Sequence, residues 1–110
     1  MGTWYSTYEK NNYGDFFCGL VRVYQPEKVV ELGTKAGYSA YHIARGIKAN
    51  GHGTLDCYDL WERHEFNSVP IVQAQENLKE FNDMVSFTPR DAVGVENLYE
   101  TADILHVDLS

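Results

Sequence analysis

The sequence predicts an α/β fold built on a doubly wound, Rossmann-like parallel sheet. Short apolar runs of strand length alternate with segments whose apolar residues recur at helical spacing. One of these runs leads straight into a turn between Gly33 and Gly37, and a helical pattern starts immediately after the turn. Strands that alternate with helices indicate parallel pairing through right-handed crossovers, with helices on both faces of the sheet.

The first half of the chain is predicted to form a helix, a strand and a second helix. Residues 1–12 show no clear period, so we treat them as an irregular or partly helical lead-in. The first helix starts near Tyr13 and stops before Pro26, which cannot continue a helix. A strand covers residues 28–32, and the second helix ends near Gly51. The apolar positions of the two helices are Phe16, Phe17, Leu20, Val21 and Tyr24, then Ala40, Ile43, Ala44 and Ile47.

The second half repeats the alternation of strand and helix. Ser68 is the predicted N-cap of a third helix, with Pro70 in its first turn. A short helix over residues 93–99 precedes the last strand. The apolar face of the third helix consists of Ile71, Ala74, Leu78 and Phe81. The strands of this half cover residues 53–60, 84–88 and 104–109.

The length of 110 residues predicts a single domain, residues 1–110, in which residues 1–27 are the lead-in and first helix. The sequence stops at Ser110, directly after the fourth predicted strand, and that strand would be left with an unpaired edge. We therefore expect these residues to be the N-terminal part of a longer protein.

Composition and charge argue against several functional classes. The formal net charge is −7, whereas binding to a nucleic-acid backbone favours a basic surface, so no nucleic-acid partner is expected. No apolar run approaches the roughly 18 residues that span a bilayer. The N-terminus also lacks the basic start and apolar stretch of a signal peptide. We expect a cytoplasmic protein without a membrane partner, and the oligomeric state stays open.

The cysteines and histidines do not indicate a metal site. Cys18 and Cys57 fall in predicted secondary structure, and we expect buried free thiols in a reducing compartment. The sequence contains neither a CxxC nor an HExxH pattern, and its four histidines do not cluster at the spacing of zinc ligands.

The glycine turn is the strongest indication of a ligand site. In an open parallel sheet, ligands bind outside the carboxyl ends of the strands. A dinucleotide fingerprint needs a second glycine where backbone approaches the pyrophosphate, and Lys35 occupies that place here. The turn therefore favours a nucleoside ligand without phosphates. Tyr38 and Ser39 open the following helix, whose N–H groups attract anions.

Acidic residues follow three of the predicted strands. Asp59 ends the second strand, Asp91 follows the third, and Asp108 lies at the end of the fourth. These carboxylates are expected to converge near the glycine turn, where one could accept both hydroxyls of a ribose. Each could instead be an ordinary turn residue or helix cap. Glu31 lies inside an apolar strand, so it either points into the ligand pocket and glycine loop or pairs with a neighbouring helix.

Four further residues have two readings each. Ser39 could cap its helix or hold a small carboxylate, and Lys35 could be solvated or add charge near that carboxylate. Trp61 could form a wall for an adenine ring or pack in the core. His106 is more typical of a packed core histidine than of a base.

Together these residues resemble a known family. The run Glu31-Leu32-Gly33-x-x-x-Gly37-Tyr38-Ser39 is similar to motif I of class I S-adenosylmethionine-dependent methyltransferases, most of all the small-molecule O-methyltransferases of the catechol type. Asp59 matches the acidic residue that those enzymes use on the ribose. Arg90-Asp91-Ala92 resembles their adenine-reading segment, and Ile104-Leu105-His106-Val107-Asp108 resembles motif IV. The resemblance covers about residues 29–110, and four motifs in order are more specific than one.

The resemblance implies methyl transfer from S-adenosylmethionine to an oxygen or another nucleophile of a small molecule. Ser39 would bind the methionine carboxylate, Asp59 the ribose and Asp91 the adenine. Asp108 is the one candidate for a catalytic residue, and no metal ligand is predicted. The family has three further strands and loops that recognise the acceptor. If these 110 residues are the entire protein, we expect weak cofactor binding and no turnover. The predicted cofactor-binding residues are Glu31, Gly33, Thr34, Gly37, Ser39, Asp59, Asp91 and Asp108.

Two alternatives remain on the same topology. One is a nicotinamide-dependent oxidoreductase or a nucleotide-sugar enzyme, against which Lys35 argues because a pyrophosphate would meet its side chain. The other is a binding module that keeps the fold without the chemistry.

Overall fold

The computed structural model describes residues 13–63, 69–99 and 101–107 of the chain. Three α-helices and four strands alternate along this part. They are α1 (Gly14–Tyr24), β1 (Lys28–Leu32), α2 (Tyr38–Asn50), β2 (Thr54–Asp59), α3 (Ile71–Asn77), β3 (Val85–Pro89) and β4 (Ile104–Val107). Short 3₁₀ helices cover Trp61–Arg63, Lys79–Phe81 and Val95–Leu98. Among the described residues, none of the helices has the length and apolar character of a membrane span.

The four strands form one parallel sheet in the order β3-β2-β1-β4. The chain builds outward from β1 to β3 and then returns to the opposite side of β1 with β4. The strand order therefore reverses between β1 and β4, and such a switch point opens a crevice at the carboxyl ends of the strands. The register places Glu31 beside Cys57 on one side and beside His106 on the other. This topology is that of a doubly wound α/β fold, as the sequence predicts.

Strand residues alternate between two faces of the sheet, and the faces are covered differently. Val29, Leu55 and Cys57 belong to a buried cluster that contains residues of all three α-helices. Val30 and Tyr58 pack on the other face, together with Val95 of a 3₁₀ helix. The sequence predicts helices on both faces of the sheet. Within the described residues, three α-helices cover one face and a single 3₁₀ turn covers the other.

The first two helices lie against each other with little space between them. Phe17, Cys18 and Val21 of α1 are buried. A Cβ atom on Gly46 of α2 would lie 2.9 Å from the carbonyl oxygen of Cys18 and 2.9 Å from the Cβ atom of Val21. Close approach of backbones is what a glycine at a helix crossing allows. Gly51 ends α2 in the left-handed conformation, with a φ of 82°, as its C-terminal signal predicts.

Several predicted boundaries move. Pro70 is the N-cap of α3 and does not lie in its first turn, and it has extended backbone dihedrals. The helix ends at Asn77, and the predicted apolar position Phe81 is reached through a 3₁₀ turn. The segment predicted as a helix over residues 93–99 is a 3₁₀ turn at Val95–Leu98 that follows Gly94, whose φ is 86°. Residues 1–12, the predicted N-cap Ser68 and the predicted strand end at 108–109 lie outside the described residues.

A cluster of polar side chains on the sheet binds Tyr99, the residue that follows the 3₁₀ turn at Val95–Leu98. Asp56 on β2 accepts a hydrogen bond of 2.6 Å from the hydroxyl of Tyr99 and one of 2.9 Å from that of Ser86. The ammonium group of Lys28 lies 3.3 Å from the same carboxylate. Burial and the neighbouring Asp56 carboxylate raise the pKa of Tyr99, so its hydroxyl stays a donor. These contacts hold the segment around Tyr99 against the face of the sheet that contains Val30 and Tyr58.

The crossing of α1 and α2 leads to a stability prediction. Gly46→Ala forces a methyl group against α1, and overpacking of this kind costs about 1–3 kcal/mol of unfolding free energy. Gly19→Ala is the control, because a Cβ atom there meets nothing within 4 Å. We expect the control to stabilise the protein by about 0.5–1 kcal/mol through helix propensity. Urea unfolding of both variants measures the difference in their unfolding free energies. Equal stabilisation by the two alanines would contradict the close approach of α1 and α2 at Gly46.

Candidate functional site

The turn after β1 depends on three residues with left-handed backbone. Gly33, Lys35 and Gly37 have φ values of 87°, 52° and 93°. The N–H of Gly33 donates to the carbonyl of Tyr58 at 2.8 Å, so the turn stays attached to β2 as it leaves the sheet. A Cβ atom on Gly37 would lie 2.5 Å from the Leu78 side chain, in addition to the unfavourable φ. The positive φ favours glycine at Gly37, and the Leu78 methyl group would also have to move to admit a side chain there.

The end of β2 holds the Lys35 peptide from two directions. One oxygen of the Asp59 carboxylate accepts the N–H of Lys35 at 2.7 Å, and the other accepts the N–H of Trp61 at 2.9 Å. The indole Nε1–H of Trp61 donates to the carbonyl of Lys35 at 2.6 Å. Because both polar groups of this residue are bonded, the left-handed conformation that a lysine rarely adopts is held in place. We call this arrangement of Lys35, Asp59 and Trp61 the turn clamp.

Two further buried residues support the turn. The side-chain amide of Asn77 on α3 donates to the carbonyl of Ala36 at 3.0 Å. Thr34 is buried beside the Cys57 thiol. Burial, together with the nearby Glu31 carboxylate, raises the pKa of the Cys57 thiol well above its ordinary value. Both described cysteines are free and buried. The Cys57 thiol beneath the turn therefore stays protonated and neutral.

Glu31 forms the second polar centre of the site. Its side chain is fully buried, and one oxygen accepts a hydrogen bond of 2.6 Å from the Ser39 hydroxyl. The same oxygen lies 3.0 Å from Nδ1 of His106 on β4. The other oxygen, Oε1, is buried and has no hydrogen-bond partner among the described residues. Glu31 therefore has a partner on the neighbouring helix, one of the two predicted alternatives, and keeps one oxygen unused.

The remaining predicted residues are placed less centrally. Asp91 is exposed, and its carboxylate accepts the N–H of Val93 at 2.9 Å, as an Asx turn does. The N–H of Arg90 donates to the carbonyl of Asp59 at 2.8 Å, so this segment lies at the same edge of the sheet as the turn clamp. Trp61 packs in the core, fully buried and edge-on to Phe87. Asp108 lies outside the described residues.

The structure brings most of the predicted site together around one turn. These residues are Glu31, Gly33, Thr34, Gly37, Ser39 and Asp59. Sequence reasoning missed the role of Asn77, although an asparagine one turn from Ala74 on an otherwise apolar face was a usable signal. It also missed the bond from Trp61 to Lys35, which joins residues 26 positions apart and leaves no local pattern.

Comparison with known proteins identifies relatives of this arrangement. A family model described as a methyltransferase domain matches residues 30–110. No curated protein matches the chain. Among solved structures, the chain is similar to an O-methyltransferase from Bacillus cereus in complex with SAH, with 25% identity and a TM-score of 0.65. It is also similar to the O-methyltransferase TomG from Streptomyces achromogenes in complex with SAM, with 26% identity and a TM-score of 0.67.

A third similar structure is that of cofactor-bound Rv0187 from MTB, with 25% identity and a TM-score of 0.71. Each of these three alignments covers 88% of this chain. They cover 44% of the Bacillus cereus chain and 43% of each of the other two. The chain thus spans less than half the length of these three structures.

The turn clamp predicts that glycine is tolerated at Lys35. Glycine adopts the left-handed conformation freely, and this gain offsets the larger entropy of the unfolded chain, so Lys35→Gly should change the unfolding free energy by less than about 0.5 kcal/mol. Lys48→Gly, in the last turn of α2, is the control and should cost about 1 kcal/mol. Urea unfolding compares the two variants. A loss at Lys35 as large as that at Lys48 would mean that the turn is not held in the left-handed region.

Proposed function

The chain belongs to the methyltransferase-domain family, and from this premise we propose that it forms the cofactor-binding part of an S-adenosylmethionine-dependent methyltransferase. The proposed reaction is methyl transfer to an oxygen or another nucleophile of a small molecule. Support comes from the family match and from similar structures that contain SAM or SAH. The turn clamp at the carboxyl ends of β1 and β2 is the single observation that carries the proposal.

Asp59 can hold the turn and a ribose at the same time. An ionised carboxylate has about four lone-pair sites for hydrogen bonds. The turn clamp uses one site on each oxygen, for the N–H groups of Lys35 and Trp61. The two hydroxyls of a ribose would be further donors to the same carboxylate, and hydrogen bonds to a charged acceptor are stronger than neutral ones. In this proposal Asp59 positions the turn and binds the nucleoside.

The other residues of the turn fit the rest of the cofactor. Gly33 and Gly37 have no side chains, so the ligand can approach the backbone between β1 and α2. Asp91 lies at the same edge and keeps acceptor sites for the exocyclic amine of an adenine, beyond the bond to Val93. We propose these roles for the glycines and for Asp91, with Thr34 forming the buried floor.

The carboxylate of the methionine moiety needs a donor, and the start of α2 offers several. The first N–H groups of a helix have no partner within the helix and attract anions. The Ser39 hydroxyl gives its one hydrogen to Glu31, so in this arrangement the side chain can only accept. We therefore propose that backbone N–H groups at Tyr38 and Ser39 bind the carboxylate. Ser39 would contribute through its backbone and not, as expected from the resemblance, through its hydroxyl.

Bound S-adenosylmethionine supplies a methyl group on a positively charged sulfur, and an acceptor can take this methyl group by displacing the sulfur in line. The residues of this chain would bind and orient the cofactor and exclude water around it, because such a transfer depends mainly on proximity and alignment. Asp108 remains the proposed candidate for a catalytic residue.

Calorimetric titration with S-adenosylmethionine and with NAD tests the proposal against its alternatives. We expect the chain to bind S-adenosylmethionine and not NAD, because Lys35 stands where a pyrophosphate would approach the backbone. Binding of NAD alone would favour an oxidoreductase of the same topology. Binding of neither ligand would favour a module that keeps the fold without the chemistry.

A single substitution tests the role of Asp59. Asp59→Asn removes the charge and replaces one of the two acceptor oxygens of the turn clamp with an NH2 donor, so affinity for S-adenosylmethionine should fall by roughly tenfold or more. The control is Asp83→Asn, an exposed aspartate just before β3 and therefore at the opposite end of the strands. Calorimetry gives the affinities, and circular dichroism checks the fold. Unchanged affinity in folded Asp59→Asn would show that the ribose is bound elsewhere.

A further inference from the structure

The pair of Glu31 and His106 joins the two strands that flank the switch point of the sheet. The residues are register partners on β1 and β4, and Nδ1 of the imidazole lies 3.0 Å from Oε2 of the carboxylate. The His106 side chain is 18% exposed, whereas that of Glu31 is fully buried. The imidazole therefore lies between the buried carboxylate and the more open part of the structure.

The environment restricts how the carboxylate can turn. The Ser39 hydroxyl and the imidazole both bind Oε2, and the Phe17 ring packs edge-on against His106 with ring centroids 5.1 Å apart. An ionised carboxylate only accepts hydrogen bonds, so Nδ1 carries the proton in this contact. Rotation of Glu31 would break both bonds to Oε2. His106 and Ser39 thus fix which of the two oxygens is used within the protein.

The unused oxygen of Glu31 lacks a donor among the described residues and suits a cationic partner. Oε1 is buried and has no hydrogen-bond partner among the described residues, and a buried carboxylate oxygen without a donor is costly. The negative charge excludes an anionic group from this position and favours an ammonium group, which has three donors. Glu31 lies two residues before Gly33, at the entrance to the turn that we assign to the nucleoside.

We propose that His106 is a positioning residue, which holds Glu31 so that its Oε1 accepts the α-ammonium group of the ligand's amino-acid moiety. The inference rests on the proposed function, and it adds a residue whose side chain acts through Glu31 and not on the cofactor. The ammonium would lie at the switch point between β1 and β4, and the carboxylate of the same moiety would lie at the start of α2. The two charges of the amino acid are thereby separated and bound by different elements.

Two ligands that differ in the amino-acid moiety isolate this effect. S-adenosylhomocysteine carries the ammonium group, whereas 5′-methylthioadenosine has the same nucleoside without the amino acid. His106→Phe should weaken S-adenosylhomocysteine binding by roughly tenfold, as expected for one charge-assisted hydrogen bond, and leave 5′-methylthioadenosine binding within about twofold. Glu31→Gln, which keeps the shape and removes the charge, should show the same selective loss.

Two variants serve as matched controls. His106→Asn keeps an N–H donor close to the position of Nδ1 and should restore S-adenosylhomocysteine affinity to within about threefold of the parent chain. His52→Phe breaks another histidine–glutamate pair, in which Nδ1 lies 2.8 Å from Glu27, at the opposite end of the strands. This control should change neither affinity.

Calorimetry separates the outcomes. Equal losses for both ligands in His106→Phe, or no loss for either, would overturn the positioning role while leaving the proposed function intact. A parent chain that binds neither nucleoside would overturn the proposed function, and this inference with it. Selective loss of S-adenosylhomocysteine binding, recovered by asparagine, is the result that the geometry predicts.

Discussion

The structure of the site depends on how one peptide, that of Lys35, is fastened between β1 and β2. Asp59 accepts its N–H and Trp61 donates to its carbonyl, and both partners come from the same strand end. These bonds keep a non-glycine residue in the left-handed region, with a φ of 52°. Without them the chain between the two glycines could adopt many conformations, and the start of α2 would not be fixed relative to the sheet. Contacts within the protein therefore hold the turn in shape, and a turn held in this way reduces the cost of binding a ligand.

The sequence was sufficient to predict those elements whose local structure is determined by the type of residue. The strand Lys28–Leu32, the end of α1 before Pro26 and the end of α2 at Gly51 follow from apolar periodicity and from residues that stop helices. The parallel sheet follows from the alternation of these elements. The third helix was less predictable, because its continuation to Phe81 as a 3₁₀ turn is decided by packing against α2 and not by propensity.

The site was only partly predictable, for the same reason. The glycine turn and Asp59 carry their own sequence signals, whereas the contacts that give them a shape connect distant residues. Trp61 bonds a carbonyl 26 residues away, and His106 meets Glu31 across 75 residues. The sequence also does not show which group donates in a hydrogen bond. Ser39 has a hydroxyl in the expected place, but only the structure shows that its hydrogen is donated to Glu31. A buried charge such as Glu31 is costly, and only the structure shows that Ser39 and His106 offset part of this cost at one of its oxygens.

Amide hydrogen exchange and chemical shifts, recorded by NMR with and without S-adenosylhomocysteine, test the preformed turn most directly. The account predicts that the Lys35 amide is already protected in the free chain, because it donates to Asp59 at 2.7 Å. It also predicts that the ligand shifts the amides of Gly33, Gly37 and Trp61, with no change at Gly51 at the opposite end of the strands. A Lys35 amide that exchanges as fast as in an unfolded chain, or shifts centred on Gly51, would contradict it.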